Sequence, residues 1–395
     1  MKVNILLLSG HELVALSIIR CLRAESIINR IDVLSTSANC STRYSKQINS
    51  HFYANTQNDS ELLNHLKFLQ AKYQSDILVP VFEKDFEFIS KNQKTLSTFI
   101  TVIPVPDFDS FNVALNKRLL AGFSEKNRFP VPRTYYFTDL VQGKLSAVNL
   151  SYPLMIKPAR SWGGSKIHKV QWSHQLQQFI NKHSDQNYIL QEYIEGEDLS
   201  CNVFYSNGNL ITYNIQKRLI REKEFAMSIA IEFIDEPRII EVVDPIMKKL
   251  KWHGVANVDL RYNPETDSYY LIEINPRFWG NIIASEIATG INFPAILVHA
   301  ALGKNIYCTK TLPGRFMFFT KYLKYKIKKP GQIKNLIKFK DTNYTSYLND
   351  PAPYCYITLK NYWGKFKTRP EQTQAVPADS APVYRYTDNN LAAQA

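Results

Sequence analysis

The chain has 395 residues, more than one hydrophobic core ordinarily serves, and 45% are hydrophobic and 13% aromatic, which excludes wholesale disorder and predicts two or three globular domains. The net charge of +13 is concentrated: residues 321–340, "KYLKYKIKKPGQIKNLIKFK", hold eight lysines and no acid. Five isolated cysteines without a CxxC spacing argue against a disulfide framework or a zinc ribbon and fit a reducing compartment.

The opening "MKVNILLLSG" reads as a buried strand. Its apolar run is too short for a signal peptide, and no stretch reaches the roughly 18 apolar residues of a membrane span, so a cytoplasmic location is expected. "HELVALSIIRCLRAES" has helical spacing, with Leu13, Leu16, Ile19 and Leu22 expected on one side. "RIDVLST" is a second strand, "ELLNHLKFLQAKYQ" a helix, "SDILVPVF" a strand and "EKDFEFISKN" a helix. This alternation predicts a parallel sheet flanked by helices, a Rossmann-like domain over residues 1–105. Its first turn, Ser9-Gly10-His11-Glu12, lacks the GxGxxG fingerprint of dinucleotide binding. A substrate contact from this turn, or from Glu83 near a strand end, stays open.

Beyond residue 105 the pattern changes. "NVALNKRLLAGFSEKN" is a helix, and "RFPVPRTYYF" is extended. The chain then turns β-rich through "YPLMIKP", "SKIHKV", "YILQEYI", "LSCNVFY" and "NLITYNIQK". A helix, "EVVDPIMKKLKW", precedes two strands, "GVANVDLRY" and "YYLIEINP", joined by "NPETDS". "AILVHAALG" is again helical. The expected domains are therefore 1–105, 106–312 with a small lobe over about 125–195, a basic region over 313–370 and a flexible, apolar-poor tail over 371–395.

The two strands carry the sharpest chemistry. Side chains alternate along a strand, so Leu271, Glu273 and Asn275 are expected on one face, with Ile272 and Ile274 in the core. A hairpin centred near Thr266 sets Asp259 across from Glu273 and Asn257 across from Asn275. Opposed carboxylates repel, and either a shared proton or a cation relieves them. Asp, Glu and an amide oxygen suit magnesium or manganese rather than zinc. A solvent-facing strand neutralised by Arg261 and Arg277 fits the same spacing. Upstream, Lys157 precedes a small-residue loop, 161–165, whose Gly163 and Gly164 permit backbone N–H groups to approach phosphate; a plain turn is the alternative. In "YILQEYIEGEDLS", extended backbone suits an adenine edge and Asp198 suits ribose hydroxyls.

Taken in order, "NKRLL", "MIKPARSWGGSKI", "LQEYIEGEDLS", "QKRLI", "ANVDLRY" and "IEINPRFWG" resemble the ATP-grasp superfamily over roughly residues 1–310. "NPRFWG" followed by "ATGINFPAILVHAALG" looks like its carbamoyl-phosphate-synthase-like branch, among the stand-alone carboxylate–amine ligases. The resemblance implies mixed α/β and α+β architecture: a Rossmann-like domain, then an ATP-grasp fold of two β-rich lobes, then a basic C-terminal extension. It implies that Lys117 and Lys157 contact ATP phosphates. Ser161, Gly163, Gly164 and Ser165 belong to the phosphate-covering loop. Gln191, Glu192, Tyr193 and Ile194 match the adenine hinge, Asp198 the ribose acid with Glu197 a near rival, and Lys217 a further phosphate contact. Asp259, Glu273 and Asn275 match magnesium ligands, and Arg277 faces the transferred phosphoryl group. Two departures stand out. The phosphate loop holds Trp162 and only two glycines, and Asp259 replaces a more usual glutamate.

The implied reaction joins a small-molecule carboxylic acid to an amine through an acyl phosphate, with ATP and Mg2+ or Mn2+ as cofactors and Lys157 and Arg277 as catalytic cations. Phosphoryl transfer without ligation and a non-catalytic nucleotide-binding protein at a membrane surface are the alternatives. Residues 321–340 read either as a surface for anionic lipid, which would suit cell-envelope or polysaccharide biosynthesis, or as a solvated basic face. No recognisable module points to nucleic acid. His11, His168 and His253 are expected to be structural.

Overall fold

A computed structural model describes residues 2–9, 12–56, 58–143, 146–147, 150–161, 166–183, 187–220, 228–304, 306, 312–364 and 387–388. The strand Val3–Ser9 is apolar and buried continuously from Ile5 to Leu8, as a strand covered on both faces must be. It pairs in parallel with Ile28–Ser35 on one side and Ile77–Pro80 on the other. Ser50–Tyr53 and Thr101–Val102 extend this sheet. Thr387–Asp388, in the tail expected to be flexible, pairs antiparallel along the edge of Ser50–Tyr53 and occupies ladder groups that the edge would otherwise leave open.

The helix Glu12–Arg23 lies against the sheet and against two later helices, Ile282–Thr289 and Phe293–Ala301. Leu13 is 48% exposed, contrary to expectation, whereas Leu16, Ile18, Ile19 and Leu22 are buried. The enclosure on several sides broadens the apolar face, and Leu13 in the first turn escapes it. One core is shared by this sheet and the "FWGN" region: Phe86 meets Phe278 edge-on at 5.6 Å, and Trp279 meets Phe293 at 4.9 Å.

Two antiparallel sheets follow. The smaller orders Thr134–Tyr136, Tyr188–Glu192, Leu154–Pro158 and His168–Val170, and packs with the helix Ser173–Lys182. The larger orders Ser268–Asn275, Gly254–Asn263, Glu197–Ser206, Asn209–Ile220, Ala230–Ile234 and Gly314–Met317. Its core face, including Cys201, Val203, Val258 and Leu260, packs on the helix Arg238–Lys249. Parallel sheet, then two antiparallel lobes, is the architecture expected of the first 312 residues.

The basic C-terminal region is less separate than the sequence suggests. Gly314–Met317 forms the edge strand of the large sheet against Ala230–Ile234, which needs a partner on that side. Further on, Ala352–Gly364 returns to the first domain, where the Lys360 ammonium lies 2.8 Å from Glu12 Oε1. Among the described residues no single helix is long and apolar enough to cross a membrane; Ile282–Thr289 and Phe293–Ala301 are apolar but meet at 100°.

Candidate active site

The hairpin register is the one the sequence predicts at its open end: Asp259 opposes Glu273 and Asn257 opposes Asn275. A bulge between Asp259 and Leu260 shifts the turn-side pairs by one, so Leu260 opposes Leu271. The extra residue, Ile272, interrupts strict alternation. Leu271 therefore joins Ile274 in the core, and Ile272 is only half-buried, which reverses their expected places.

The carboxylates are held closely. Ser200 Oγ donates to Asp259 Oδ1 at 2.6 Å, and the Asn275 amide donates to Asp259 Oδ2 and Glu273 Oε1, each at 3.2 Å. Lys117, first residue of the helix Lys117–Asn127, puts its ammonium 2.9 Å from Glu273 Oε2 and also donates to the Ser161 carbonyl at 3.3 Å. Burial, then the charge of Glu273, raises Asp259 to about 7. Burial opposes ionisation of Glu273 too, yet Lys117 and Lys157 pull it down to about 2. At neutral pH Glu273 is thus ionised and Asp259 only partly so, and the pair carries between one and two negative charges. A divalent cation can take the place of the remaining proton, and two carboxylates with an amide fit magnesium in ligand chemistry. The Asn275 oxygen now accepts from Arg277 Nη2 at 3.1 Å, so ligation through it requires the amide to turn over.

A pH dependence follows with a definite sign. Asp259 is raised from 3.8, so its contribution to metal-free stability is present below about pH 4 and lost as pH rises through about 7; Glu273 is lowered from 4.5, so its contribution is lost as pH falls through about 2. Magnesium bound through Asp259 would have to displace its proton below pH 7. Its affinity, measured calorimetrically with ADP present, is expected to rise by about fivefold between pH 6 and 7 and flatten above. A flat profile over this range would remove Asp259 from the ion's ligands.

Lys157 is buried, and its ammonium donates to Gln191 Oε1 at 2.6 Å. Burial lowers it to about 8, with Glu273 opposing that shift and Lys117 adding to it. Gln191 also donates to Thr134 Oγ1 at 3.2 Å, so its side chain orients Lys157. In the expected hinge, the backbone N–H groups of Glu192 and Tyr193 donate to the Arg133 and Pro153 carbonyls at 2.9 and 3.2 Å, and the Ile194 carbonyl accepts from Arg261 Nε. Two hinge donors are therefore already used within the protein. Gly196 follows at φ +131°, where a Cβ would lie 1.9 Å from the Tyr262 carbonyl oxygen, so only glycine lets the hinge cross there. Asp198 is bound by Arg261 Nη1 at 2.6 Å and Arg218 Nη1 at 3.2 Å.

Lys217 does not join this cluster. It opposes Leu199, on the core-facing parity of the large sheet, and its ammonium sits 3.3 Å from Glu232. Arg218, one residue on, occupies the Asp198–Ser200–Asp259 face instead. Arg277 is buried; Nη1 donates to the Phe278 carbonyl at 3.0 Å, Nε lies 3.9 Å from Glu83, and the guanidinium covers the Phe82 ring at 4.8 Å. Trp162, Gly163, Gly164 and Ser165 lie outside the described residues, as do Gly10 and His11. His253 Nδ1 accepts from the Asn207 N–H at 3.3 Å, a structural contact, and Asn281 donates to Gln216 at 3.1 Å.

The sequence reading missed Ser200, Arg218 and a chain of amides. Asn257 donates to Asn202 and Asn202 to Asn214, both at 2.8 Å, and Asn275 continues the chain to Asn257 at 3.4 Å. The alternation of Ser200 and Asn202 along "DLSCNVF" was the available signal, but only the strand pairing gives it meaning.

A family model described as "ATP-grasp in the biosynthetic pathway with Ter operon" matches residues 184–316. D-aspartate ligase of Enterococcus faecium is 23% identical over 263 residues, covering 60% of this chain and 62% of that protein. The large chain of carbamoyl phosphate synthase from Thermoanaerobacter is 22% identical over 50% of this chain and 19% of its own length. The chain thus spans less than two thirds of these relatives. Among solved structures, the ADP complex of N5-carboxyaminoimidazole synthetase from Staphylococcus aureus superposes with a TM-score of 0.64 at 15% identity, covering 80% of this chain and 83% of that one. An L-amino acid ligase from Bacillus licheniformis gives 0.59 at 17% identity over 76% and 74%.

Proposed function

We propose that the chain, whose residues 184–316 match an ATP-grasp family model, is an ATP-dependent carboxylate–amine ligase, forming an amide or peptide bond with release of ADP and phosphate. The observation that carries this reading is the convergence of buried Lys117, Lys157 and Arg277 on the Asp259–Glu273–Asn275 cluster. Three buried cations with an oxygen-rich anionic centre suit a polyphosphate and its counter-ion, and need no Ser or Cys nucleophile. The D-aspartate and L-amino acid ligases among the similar proteins support an amino acid as one substrate.

In this reading a substrate carboxylate oxygen attacks the γ-phosphorus of ATP, the bond to the bridging oxygen breaks, and ADP leaves. The amine nitrogen then attacks the acyl carbon, phosphate departs with the C–O bond electrons, and the nitrogen loses a proton. Magnesium held by Asp259, Glu273 and Asn275 would supply charge neutralisation on the phosphates. Lys117 and Lys157 bind phosphate oxygens, with Ser161, Gly163, Gly164 and Ser165 covering them. The segment Gln191, Glu192, Tyr193 and Ile194 faces adenine, and Asp198 takes the ribose after parting from Arg218. Arg277 neutralises the phosphoryl group in transfer. Domain boundaries near residues 105, 312 and 370 and a cytoplasmic site of action belong to the same reading. The eight lysines of residues 321–340 support a setting in cell-envelope or polysaccharide biosynthesis.

Purified protein with magnesium-ATP and a panel of amino acids and sugar acids is expected to release ADP and phosphate, and added hydroxylamine should trap a hydroxamate. AMP and pyrophosphate as products would overturn the acyl-phosphate route. A stable phosphorylated acid formed without any amine would replace ligation by simple phosphoryl transfer.

A further inference from the structure

The helix Phe319–Lys328 and the segment after it are pinned to the large sheet from one side. Tyr322, Tyr325, Ile333 and Ile337 are buried with Ile229, Ala230 and Met317, and Leu219 and Ile220 pack against them. On a helix, 100° per residue places Leu323 and Ile327 on the side opposite Tyr322 and Tyr325. Leu323 is 43% exposed and Ile327 80% exposed. Lys324 and Lys328 flank this pair on one side and Lys326 on the other; all three are exposed, as are Lys329, Lys334, Lys338 and Lys340. No acid interrupts residues 321–340.

To a merely solvated helix an outward Leu–Ile pair four residues apart adds only a weak side-chain contact. A fully electrostatic surface, as for nucleic acid, has no use for it either. An apolar ridge with lysines on its shoulders matches a bilayer interface: the ridge enters the acyl boundary while the ammonium groups reach anionic headgroups along their own methylene stems. We propose that this face docks peripherally on an anionic lipid membrane, with Leu323 and Ile327 inserted and the surrounding lysines on the headgroups. The buried side of the same segment packs on Leu219 and Ile220, at the end of the strand that carries Arg218 to Asp198. Docking would therefore tether that strand end close to the lipid.

The test is co-sedimentation of the full chain with vesicles of phosphatidylcholine alone or mixed with phosphatidylglycerol, without ATP. Binding is expected to the mixed vesicles only. Each lysine near an anionic surface is worth roughly fivefold in partitioning, so changing Lys324, Lys326, Lys328 and Lys329 together to Gln should cost roughly two to three orders of magnitude. Leu323→Ser with Ile327→Ser should abolish the binding that survives raised salt, while soluble ATP turnover is unchanged in both variants. Absence of vesicle binding by the intact chain overturns the proposal. So does equal vesicle binding by the Leu323/Ile327 variant, or lysine-dependent binding of RNA in preference to mixed vesicles. Because vesicle binding is read without nucleotide, its failure is separable from failure of the ligase assignment.

Discussion

Glu273→Gln is expected to lower ATP turnover about 1,000-fold, the scale of losing a preorganised charge at a reacting phosphate, while the protein stays folded. Glu273 sits 2.9 Å from the Lys117 ammonium and accepts from the Asn275 amide. Glutamine keeps the shape and one accepting oxygen, which can serve Lys117, while its NH2 replaces the oxygen that faces the Asn275 amide. It also removes the second contributor to the raised Asp259 carboxyl, after burial itself. Asp259 then ionises near neutral pH, and the metal-free pair retains a single negative charge. Folding therefore changes little, whereas the doubly charged state that a divalent cation needs is lost. Circular dichroism and thermal melting check the fold, and ADP release checks turnover. The same substitution at Glu265, on the exposed hairpin turn, is the control and should leave activity unchanged. Turnover within tenfold of the parent in Glu273→Gln would sink the assignment of this pair.

The pairing of Asp259 with Glu273 was legible because it is local. Asp259 and Glu273 are joined by one short turn, so the sequence fixes which residues can meet once the turn is located. Even there the bulge at Ile272 leaves no mark in the sequence, because a single inserted residue keeps the apolar pattern readable and merely exchanges Leu271 with Ile272. Ser200 and Asn202 reach Asp259 and Asn257 across a pairing separated by more than fifty positions, and no local pattern sets that register. The exchange of Lys217 for Arg218 has the same origin. Both are basic and adjacent, and parity is decided only by Leu199 and Asp198 on the neighbouring strand. The parallel sheet was legible from its continuous apolar strands. The return of Ala352–Gly364 to Glu12 was not, because long-range docking of a mostly exposed helix leaves little trace in its periodicity.

Arg277→Lys should separate catalysis from nucleotide binding. The guanidinium is tied at three points, to the Asn275 oxygen, the Phe278 carbonyl and, more distantly, Glu83, and it lies flat on Phe82. A lysine keeps the charge but offers neither the planar fork nor the stacked face, so the position these contacts hold, which the proposed reading sets over the transferred group, is lost. Turnover is expected to fall by about 10²–10³, with ADP affinity within a few fold, because the proposed phosphate contacts of Lys117 and Lys157 come from other elements. Glu83 tests the positioning. Burial raises its carboxyl, and Arg277 and Lys117 oppose that shift, so it helps to hold the arginine from the first domain. Glu83→Gln removes the ionic part of that hold but not the other two hydrogen bonds, and a loss of about tenfold is expected. If Arg277→Lys instead weakened ADP binding as much as turnover, the arginine would belong to ground-state nucleotide binding. If it left both intact, the catalytic role of Arg277 would fall, whatever the fate of the carboxylate pair.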